Sequence, residues 1–573
     1  MSEPNVGKFV KHEDVGVEDG LYGTYDREGK FTPLGNAVNV VEIQQNIETQ
    51  TVQVMLNFID RYGIQKTFTF SLSDIASTTK ITKLSDFGVQ VQSGASANTL
   101  VKVLSNQMGE TYMRFIYNGL GWMPYKSEII FRGHNAVGME ASYAGQLLIE
   151  PKGKYKAWKE MIDNEVVGNP AREAALSIGF TAPLYGFMHD MLGIESLFAH
   201  IWGDSSVGKT TMGLLVLSIS CCPDFDKPSL AKSWTDTINA IIRELTNNHG
   251  YPVLIDEASQ SNKKNLTPFI YTLTGNREKN RLTSDATLNP GGTWHTTVLS
   301  TGEYSLLDNA AENMGLRVRL IEFKNVAWTD DAGNADRIRE VIKNNYSHAI
   351  RRFAKALLEM GRDELADLWH KCVRKCEQAL TDDHFNNRIA KKYALILMAA
   401  YIVNKKLNIK LDLSGILNFL AENDKSNVEE EPRDLGDKAY DVLLEELEIN
   451  HHRFELWKES GNKLRQVTKQ THKGVDLIIE PVRQPKGVSW GRIIRCKDRF
   501  DENTGKKIAV THVAVYKKPF HRLMKYRGFE SPQNVLQKWK EKGVLISEAD
   551  RLEIRISGKV PVYRIDISDF QDD

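Results

Sequence analysis

The sequence predicts an α/β protein with a parallel-sheet core, preceded by a mixed α/β domain and followed by a small domain of two helices and a β-ribbon. Between about residues 165 and 325, apolar runs of strand length alternate with helical patterns, which is typical of a parallel sheet. In that region a glycine loop separates one such run, Leu197–Trp202, from an apolar helical segment. Near the end of the chain, two helical patterns with proline in their first turns precede two strand-like runs.

Length and composition limit what the chain can be. Its 573 residues are enough for about three to four domains. An apolar content of 41% and a charged content of 26% are ordinary for a globular protein, and they exclude a fibre, a wholly disordered chain and a disulfide scaffold. The sequence has neither a run of roughly 20 apolar residues nor an apolar leader. Together with five scattered cysteines, this predicts a cytoplasmic protein with no membrane partner.

Composition shifts divide the chain into four parts. We expect a mixed α/β domain over 1–150, in which Thr51–Ile59 and Lys66–Phe70 form a hairpin. The parallel-sheet domain is expected over 165–415, and an acidic linker with a basic connecting region over 416–505.

The last domain is expected over 506–573. Its helical patterns cover Pro519–Tyr526 and Pro532–Lys542, and strand-like runs follow. Helix, helix and ribbon in this order favour a winged helix, which is a relative of the helix-turn-helix motif.

Charge is distributed unevenly along the chain. Lys+Arg and Asp+Glu both total 74, so the chain is formally neutral. Residues 481–564 nevertheless carry twenty basic against eight acidic side chains, whereas residues 422–448 carry eleven acidic against three basic ones. We interpret the acidic stretch as a solvated face and the basic region as a surface for a polyanion. The predicted DNA-binding residues there are Lys517, Lys518, Arg522 and Lys525.

The strongest motif is Gly203-Asp-Ser-Ser-Val-Gly-Lys-Thr210, a full match to the phosphate-loop pattern GxxxxGK[ST]. Its glycines let the backbone amides and the N-terminus of the next helix face the phosphates of a nucleotide. Lys209 supplies a charge to the β and γ phosphates, and the Thr210 hydroxyl is suited to coordinate Mg²⁺. We therefore expect ATP and Mg²⁺ as cofactors. The predicted binding residues are Gly203, Asp204, Ser205, Ser206, Val207, Gly208, Lys209, Thr210, Thr211 and Asp256.

A second acidic motif follows the loop by about 50 residues. The apolar run Pro252–Ile255 ends in Asp256-Glu257. Asp256 is expected to hold Mg²⁺ with Thr210, and Glu257 to orient and polarise the attacking water. The adjacent glutamate favours hydrolysis over transfer of phosphate to a small molecule.

Further polar residues stand at the ends of later strands. Thr296–Ser300 predicts a core strand, and either Ser300 or Thr301 at its end is expected to sense the γ phosphate. Arg317 and Arg319 precede the apolar run Leu320–Phe323, where Arg319 is our first choice and Arg317 our second for an arginine finger supplied to a neighbouring subunit. Arg388, at the start of a helical pattern, is a candidate second sensor.

Basic residues also surround a predicted hairpin between Glu257 and the sensor strand. Asn289-Pro-Gly-Gly292 predicts its turn, and Arg277, Lys279 and Arg281 stand at its base. Such a hairpin could grip a nucleic-acid backbone by charge, without reading sequence. A plain surface loop explains the composition equally well.

In this order, the phosphate loop, Val253–Glu257, Ser300–Glu303, Arg319 and Arg388 resemble AAA+ ATPases of the helicase clade. The run Asn169–Pro183 and Leu299-Ser-Thr-Gly-Glu303 are similar to a domain family carried by phages and mobile elements, and above all to the MCM-like replicative helicases of staphylococcal cassette chromosome elements. The resemblance covers roughly residues 40–400. It departs from typical MCM proteins at Ser300-Thr301, where those proteins have asparagine.

The resemblance implies an AAA+ core in a homo-hexameric ring that hydrolyses ATP between subunits and moves along single-stranded or forked DNA, 3′ to 5′, during replication of the element. An alternative from another class is a non-translocating AAA+ switch, a DNA-bound regulator or loader. A small-molecule kinase is disfavoured by Asp256-Glu257 and by the arginine pair.

Overall fold

The structure is a computed structural model. It describes residues 12–260, 266–278, 281–282, 288–289, 291–307, 314–380, 386–429, 435–460, 463–464, 466–471, 474–479, 483–500, 507–527, 529, 531–548, 551–556 and 560–567. Among these residues, no helix has the length and apolarity that crossing a bilayer requires.

The N-terminal region is built mainly from antiparallel strands with one long helix packed against them. Tyr22, Val38, Leu100 and Leu104 are buried in the shared apolar core. The predicted hairpin of residues 51–70 is present as β5 and β6, which pair antiparallel. The elements are β1 (Val15–Glu18), β2 (Leu21–Tyr25), β3 (Phe31–Asn36), β4 (Val38–Asn46), β5 (Val52–Ile59), β6 (Gln65–Ser71), α1 (Leu72–Ile75), α2 (Ala95–Glu110), β7 (Met113–Tyr117), β8 (Leu120–Tyr125), β9 (Glu128–Arg132) and β10 (Ser142–Tyr143).

The middle region is a parallel sheet covered by helices, as the alternation of strand and helix patterns predicted. Its strand order is β12-β14-β17-β11-β18. The elements are α3 (Tyr155–Glu165), α4 (Pro170–Leu192), β11 (Phe198–Trp202), α5 (Lys209–Ser218), β12 (Ala231–Ser233), α6 (Ile238–Leu245), β13 (Asn248–His249), β14 (Val253–Asp256), α7 (Thr267–Thr274), β15 (Arg281–Leu282), β16 (Leu288–Asn289), β17 (Val298–Gly302), α8 (Met314–Arg317), β18 (Leu320–Lys324), α9 (Ala332–Asn344), α10 (Ala349–Ala379), α11 (Asn386–Ile402) and α12 (Leu413–Glu429).

Helix α4 is the central helix of this region. The Asn169 side chain caps it by accepting hydrogen bonds from the amides of Ala171 and Arg172, and Pro170 occupies its first turn. Gly193, with φ of 61°, ends it in the left-handed conformation that glycine adopts without strain. Nearly every residue of α4 is buried, because α5, α10, α11 and α12 all pack against it.

Helix α12 closes one edge of the sheet. The Nδ2 groups of Asn423 and Asn427 donate hydrogen bonds to the Glu322 carbonyl oxygen at 2.9 and 3.1 Å. Strand β18 lies at the end of the strand order, with β11 as its neighbour on one side. Side-chain amides thus satisfy a backbone acceptor that a further strand would otherwise need to pair.

The C-terminal region combines helices with a second, mostly antiparallel sheet. Its core contains Leu443 of α13, Phe454 of β19 and Trp539 of α15. The described parts of 416–505 therefore lie in α12 and in this folded region, where composition predicted a linker. The elements are α13 (Leu435–Asn450), β19 (Phe454–Ser460), β20 (Lys463–Leu464), β21 (Gln466–Thr471), β22 (Gly474–Ile479), β23 (Gly491–Phe500), β24 (Lys507–Tyr516), α14 (Lys517–Tyr526), α15 (Pro532–Glu541), β25 (Leu545–Ile546), β26 (Ile554–Ile556) and β27 (Val560–Asp566).

A buried ion pair of the N-terminal region contacts the middle region through Asn247. Arg132 is 1% exposed, and its Nη1 group pairs with Glu48 and donates a 3.0 Å hydrogen bond to Asn247 of the middle region. Strand β13 also pairs with β8 across this seam. Since desolvation of Arg132 is offset mainly by Glu48, the carboxylate is needed to keep that charge inside the protein.

We predict that Glu48→Ala loosens this seam. Removing one partner of a buried pair leaves the other charge uncompensated and costs about 3–5 kcal/mol. Differential scanning fluorimetry should therefore detect a lower unfolding temperature, and limited proteolysis should cleave the N-terminal region sooner. Glu28→Ala, which removes an exposed carboxylate in the same region, is the matched control. Equal shifts in the two variants would contradict a special role for the Arg132 pair.

Candidate nucleotide-binding site

The phosphate loop lies between β11 and α5, as the motif predicted. Gly203 and Gly208 have φ values of 136° and 89°, which strain any residue with a Cβ atom. A Cβ on Gly208 would also lie 2.6 Å from the Thr329 side chain. The Val207 carbonyl accepts a hydrogen bond from Trp328 N at 2.9 Å, so the segment after β18 supports the loop from below. Asp204, Ser205 and Ser206 are exposed at its tip.

Lys209 and Thr211 occupy different positions in the first turn of α5. The Lys209 ammonium donates to the carbonyl oxygens of Gly203 and Asp204 at 2.9 and 2.6 Å, so it lies within the curve of the loop. Thr211 is fully buried in the protein interior. Of the predicted loop residues, Thr211 therefore contributes to packing, whereas Lys209 faces the space that phosphate would fill.

Asp256 is held between two threonine hydroxyls. The Thr210 hydroxyl donates to Asp256 Oδ1 at 3.2 Å, and the Thr301 hydroxyl donates to the same oxygen at 2.5 Å. Burial raises the pKa of the Asp256 carboxyl, and the hydrogen bonds from Thr301 and Thr210 act in the opposite direction. The predicted pair of Thr210 and Asp256 is thus brought together, and its oxygen atoms are of the type that Mg²⁺ prefers.

Ser300 and Thr301 point to opposite faces of β17, because side chains alternate along a strand. Ser300 is fully buried, accepts a 2.8 Å hydrogen bond from Trp234 Nε1 and lies 3.0 Å from His200 Nδ1. Burial lowers the pKa of His200 to about 4, so the imidazole is neutral. Its Nε2 donates to the Tyr304 carbonyl oxygen at 3.0 Å, which leaves Nδ1 to accept from the Ser300 hydroxyl. Of the two sensor candidates, Thr301 contacts Asp256, whereas Ser300 contacts buried side chains.

Glu257 has a backbone conformation that is uncommon for its residue type. Its φ is 64°, in the left-handed region, and its backbone amide donates to the Thr301 hydroxyl at 3.1 Å. Thr301 thus contacts both Asp256 and Glu257. Strained backbone of this kind is concentrated at functional sites, where the surrounding structure maintains it.

Glu303 is a site residue whose contact the sequence did not reveal. Its Oε1 atom accepts a 2.5 Å hydrogen bond from the Ser205 hydroxyl in the phosphate loop, and its amide donates to Ser259 Oγ at 3.0 Å. Glu303 therefore connects the loop to the segment after Glu257. Its position next to Thr301-Gly302 was the available signal, but the partner Ser205 is 98 residues away in the chain.

The two candidate finger arginines face different surroundings. Arg319 pairs with Glu195 at 2.9 Å and stacks on the Tyr271 ring at 4.4 Å. Arg317 instead lines a cavity of about 190 Å³ between the sheet and α11. The buried Lys392 ammonium donates to the Arg319 carbonyl oxygen at 2.7 Å, and burial lowers its pKa to about 7.

Arg388 lies in the first turn of α11, and its side chain is exposed. The described contacts do not bring it to the phosphate loop. Its assignment as a second sensor stays a prediction from the motif order.

The basic hairpin is present, with a different turn from the predicted one. Arg281 in β15 pairs with Asn289 in β16, and Arg277 forms a bridge with Thr293 at the base. Asn289 pairs with Arg281 in this register, so the predicted turn at Asn289 is wrong, and this residue lies in the returning strand β16. Lys279 and Pro290 are outside the described residues.

The predicted DNA-binding residues of the C-terminal region lie on α14. Lys518, Arg522 and Lys525 are exposed. Lys517 pairs with Glu553, which adjoins β26. Three of the four residues that we predicted to contact DNA are therefore exposed on this helix.

We predict that substitutions of the two sensor candidates affect different properties, namely stability for Ser300 and nucleotide binding for Thr301. Ser300→Ala removes the acceptor of a buried indole N–H and should lower the free energy of unfolding by about 1–3 kcal/mol, measured by chemical denaturation. Thr301→Val removes a donor to a buried carboxylate and should weaken Mg²⁺-dependent binding of a fluorescent ATP analogue about 10- to 100-fold. Each variant is the matched control of the other. Weakened nucleotide binding in Ser300→Ala, at unchanged stability, would contradict its structural placement.

Comparisons with known proteins concern the domains and the fold of the chain. Residues 16–290 match the family model of a domain of unknown function (DUF927), and residues 483–566 match a Cch helix turn helix domain. No curated protein sequence matches the chain. Among solved structures, the chain is similar to SCCmec type IV Cch, which is described as an active helicase, with a TM-score of 0.69 and 22% sequence identity. The likeness covers 97% of this chain and 98% of that chain, so the two share a fold over nearly their whole length.

Proposed function

We propose that the chain is an ATP-hydrolysing DNA helicase of a mobile genetic element, with an AAA+ core that works in a hexameric ring. The observation that carries this proposal is the cluster of Lys209, Thr210, Asp256, Thr301 and Glu257 at the carboxyl ends of neighbouring parallel strands. It belongs to a fold shared with a protein described as an active helicase.

The residues present fit ATP and Mg²⁺. The loop conformation admits only glycine at position 208, because φ is positive and a Cβ would lie 2.6 Å from the Thr329 side chain. The Lys209 ammonium donates to two loop carbonyl oxygens, and phosphate oxygens can replace these carbonyls as its acceptors. Burial disfavours the ionised form of Asp256, and a cation bound beside Thr210 would stabilise that form. Bound Mg²⁺-ATP supplies the phosphoanhydride bond whose hydrolysis releases free energy.

Each residue of the cluster has a role in this proposal. Lys209 neutralises phosphate charge, while Thr210 and Asp256 provide oxygen ligands for the cation. Glu257, next to Asp256 in the chain, accepts the proton of the attacking water. Thr301 holds the two acidic residues in a fixed relation, since its hydroxyl contacts both.

The position of Arg319 supports a shared site between subunits. Arg319 precedes β18 and pairs with Glu195, which precedes β11, so both lie near the amino ends of the parallel strands. The phosphate loop follows the carboxyl end of β11. Five residues of strand separate these ends by roughly 16 Å. Arg319 is therefore remote from the phosphates of its own subunit, and a neighbour in a ring is the natural recipient.

The DNA contacts are assigned to two places. The hairpin with Arg277 and Arg281 would follow the backbone of single-stranded DNA by charge. The exposed cations of α14 would hold the DNA from the C-terminal region. Neither set by itself distinguishes one sequence from another.

We predict that Lys209→Ala abolishes ATP hydrolysis and unwinding. Loss of a charge that stabilises the transition state should reduce turnover about 100-fold or more. Steady-state phosphate release and a forked-duplex unwinding assay measure the two activities side by side. Lys410→Ala, which removes an exposed lysine on the surface, is the control. Near-normal turnover in Lys209→Ala would refute the ATPase assignment, whereas DNA-independent turnover without strand separation in the wild type would favour the regulatory switch.

We predict that Arg319→Ala and Glu257→Gln subunits complement each other. Each variant alone should be nearly inactive, because one lacks the finger and the other lacks the base. In mixed rings some sites receive Glu257 from one subunit and Arg319 from the other, so ATPase activity should partly return. Size-exclusion chromatography establishes that oligomers form. Intact mixed oligomers without any recovered activity would favour a purely structural Arg319.

A further inference from the structure

Helices α14 and α15 form a packed pair that resembles the reading unit of a helix-turn-helix protein. The Phe520 and Trp539 rings join them with their centroids 5.7 Å apart, and the Met524 carbonyl accepts from Phe529 N in the turn. Both helices lie within the matched helix turn helix region. In such units the second helix enters the major groove of DNA.

One face of helix α15 packs against α13, and the opposite face is exposed to solvent. Trp539 Nε1 donates to the Gly436 carbonyl at 2.7 Å, and Lys542 pairs with Asp437 at 2.7 Å, so α13 supports its inner face. Val535, Leu536 and Trp539 are buried on that face. The other face, near the N-terminal end of the helix, exposes three carboxamides, those of Gln533, Asn534 and Gln537.

Carboxamides at this place suit one kind of ligand. Each offers a donor and an acceptor in one plane, which matches the N6 amino group and the N7 atom of adenine in the major groove. Gln537 is oriented by a weak 3.4 Å hydrogen bond from its Nε2 to Glu541, and base contact can replace it. Lysine or arginine at these positions would add phosphate affinity, whereas Gln and Asn mainly add discrimination among bases.

We propose that α15 reads adenine-containing duplex DNA through Gln533, Asn534 and Gln537, while Lys518, Arg522 and Lys525 of α14 hold the flanking phosphates. The protein thereby recognises a particular double-stranded sequence, in addition to moving along single strands without sequence preference. This rests on the proposed function only in that the C-terminal region binds DNA. It needs neither ATP hydrolysis nor unwinding.

The ligand is identified by selection with the full-length protein. A pool of duplexes with about 20 randomised base pairs is bound without nucleotide at physiological salt, recovered and sequenced over several rounds. The expected result is an enriched motif with A·T pairs at invariant positions. The selected duplex and a scrambled duplex of equal composition are then compared by fluorescence anisotropy over a range of salt concentrations.

Two kinds of variant separate recognition of the bases from binding of the phosphates. The triple variant Gln533→Ala, Asn534→Ala, Gln537→Ala should lose most of the preference for the selected duplex, by about 5- to 100-fold for each well-formed pair, and still bind the scrambled duplex. Arg522→Ala should weaken both duplexes by the same factor and reduce the salt slope by about 1. Gln92→Ala, which removes an exposed carboxamide of the N-terminal region, is the matched control and should change neither.

The outcomes distinguish this proposal from the proposed function. An enriched motif that only the triple variant fails to prefer supports the reading helix, even if the wild type does not unwind DNA. Binding without an enriched motif, or a preference that survives in the triple variant, overturns it while leaving the ATPase and helicase assays untouched. Circular dichroism confirms that the triple variant is folded, which is expected because all three side chains are exposed.

Discussion

A carboxylate that is removed from water needs donors or a cation around it, and the middle region is organised by that need at Asp256. Its two hydroxyl partners come from different elements, Thr210 from the helix after the phosphate loop and Thr301 from strand β17. The strand order makes this possible, because β17 lies between β11 and β14. One half-buried carboxylate therefore connects the ends of three chain segments, and the Glu257 backbone amide donates to the hydroxyl of the same threonine.

The parallel sheet also acts as a spacer between two charged regions. Lys209 stands beyond the carboxyl ends of the strands, while Arg319 and Glu195 lie near their amino ends. Stacking on Tyr271 and pairing with Glu195 hold the guanidinium at the surface of its own subunit. In the proposed ring, this separation is what makes Arg319 available to the nucleotide site of a neighbouring subunit and not to that of its own.

Several features could be predicted because their signals are local. The phosphate loop, the strand ending in Asp256, the hairpin of β5 and β6, and both C-terminal helices follow from patterns a few residues long. The choice between Ser300 and Thr301 could not be made, since it depends on which face of β17 the partner strands present. Contacts such as Ser205 with Glu303 and Arg319 with Glu195 join residues about 100 apart or more, and composition carries no record of them. The high negative charge of residues 422–448 gave no indication that α13 has a buried face within the C-terminal core.

The seal that α12 forms on strand β18 has a mechanical consequence. Two asparagine amides, rather than another strand, occupy the Glu322 carbonyl, and the Phe419 ring of α12 stacks on Phe323 of β18, so apolar packing and side-chain hydrogen bonds join this helix to the sheet. Such bonds break and reform by rotation about side-chain torsions, whereas a strand would have to be unzipped residue by residue. The apolar contacts do not exchange in this way, because displacing α12 would expose Phe323 and Leu420 to water, so burial of apolar surface keeps the helix on the sheet while its hydrogen bonds rearrange.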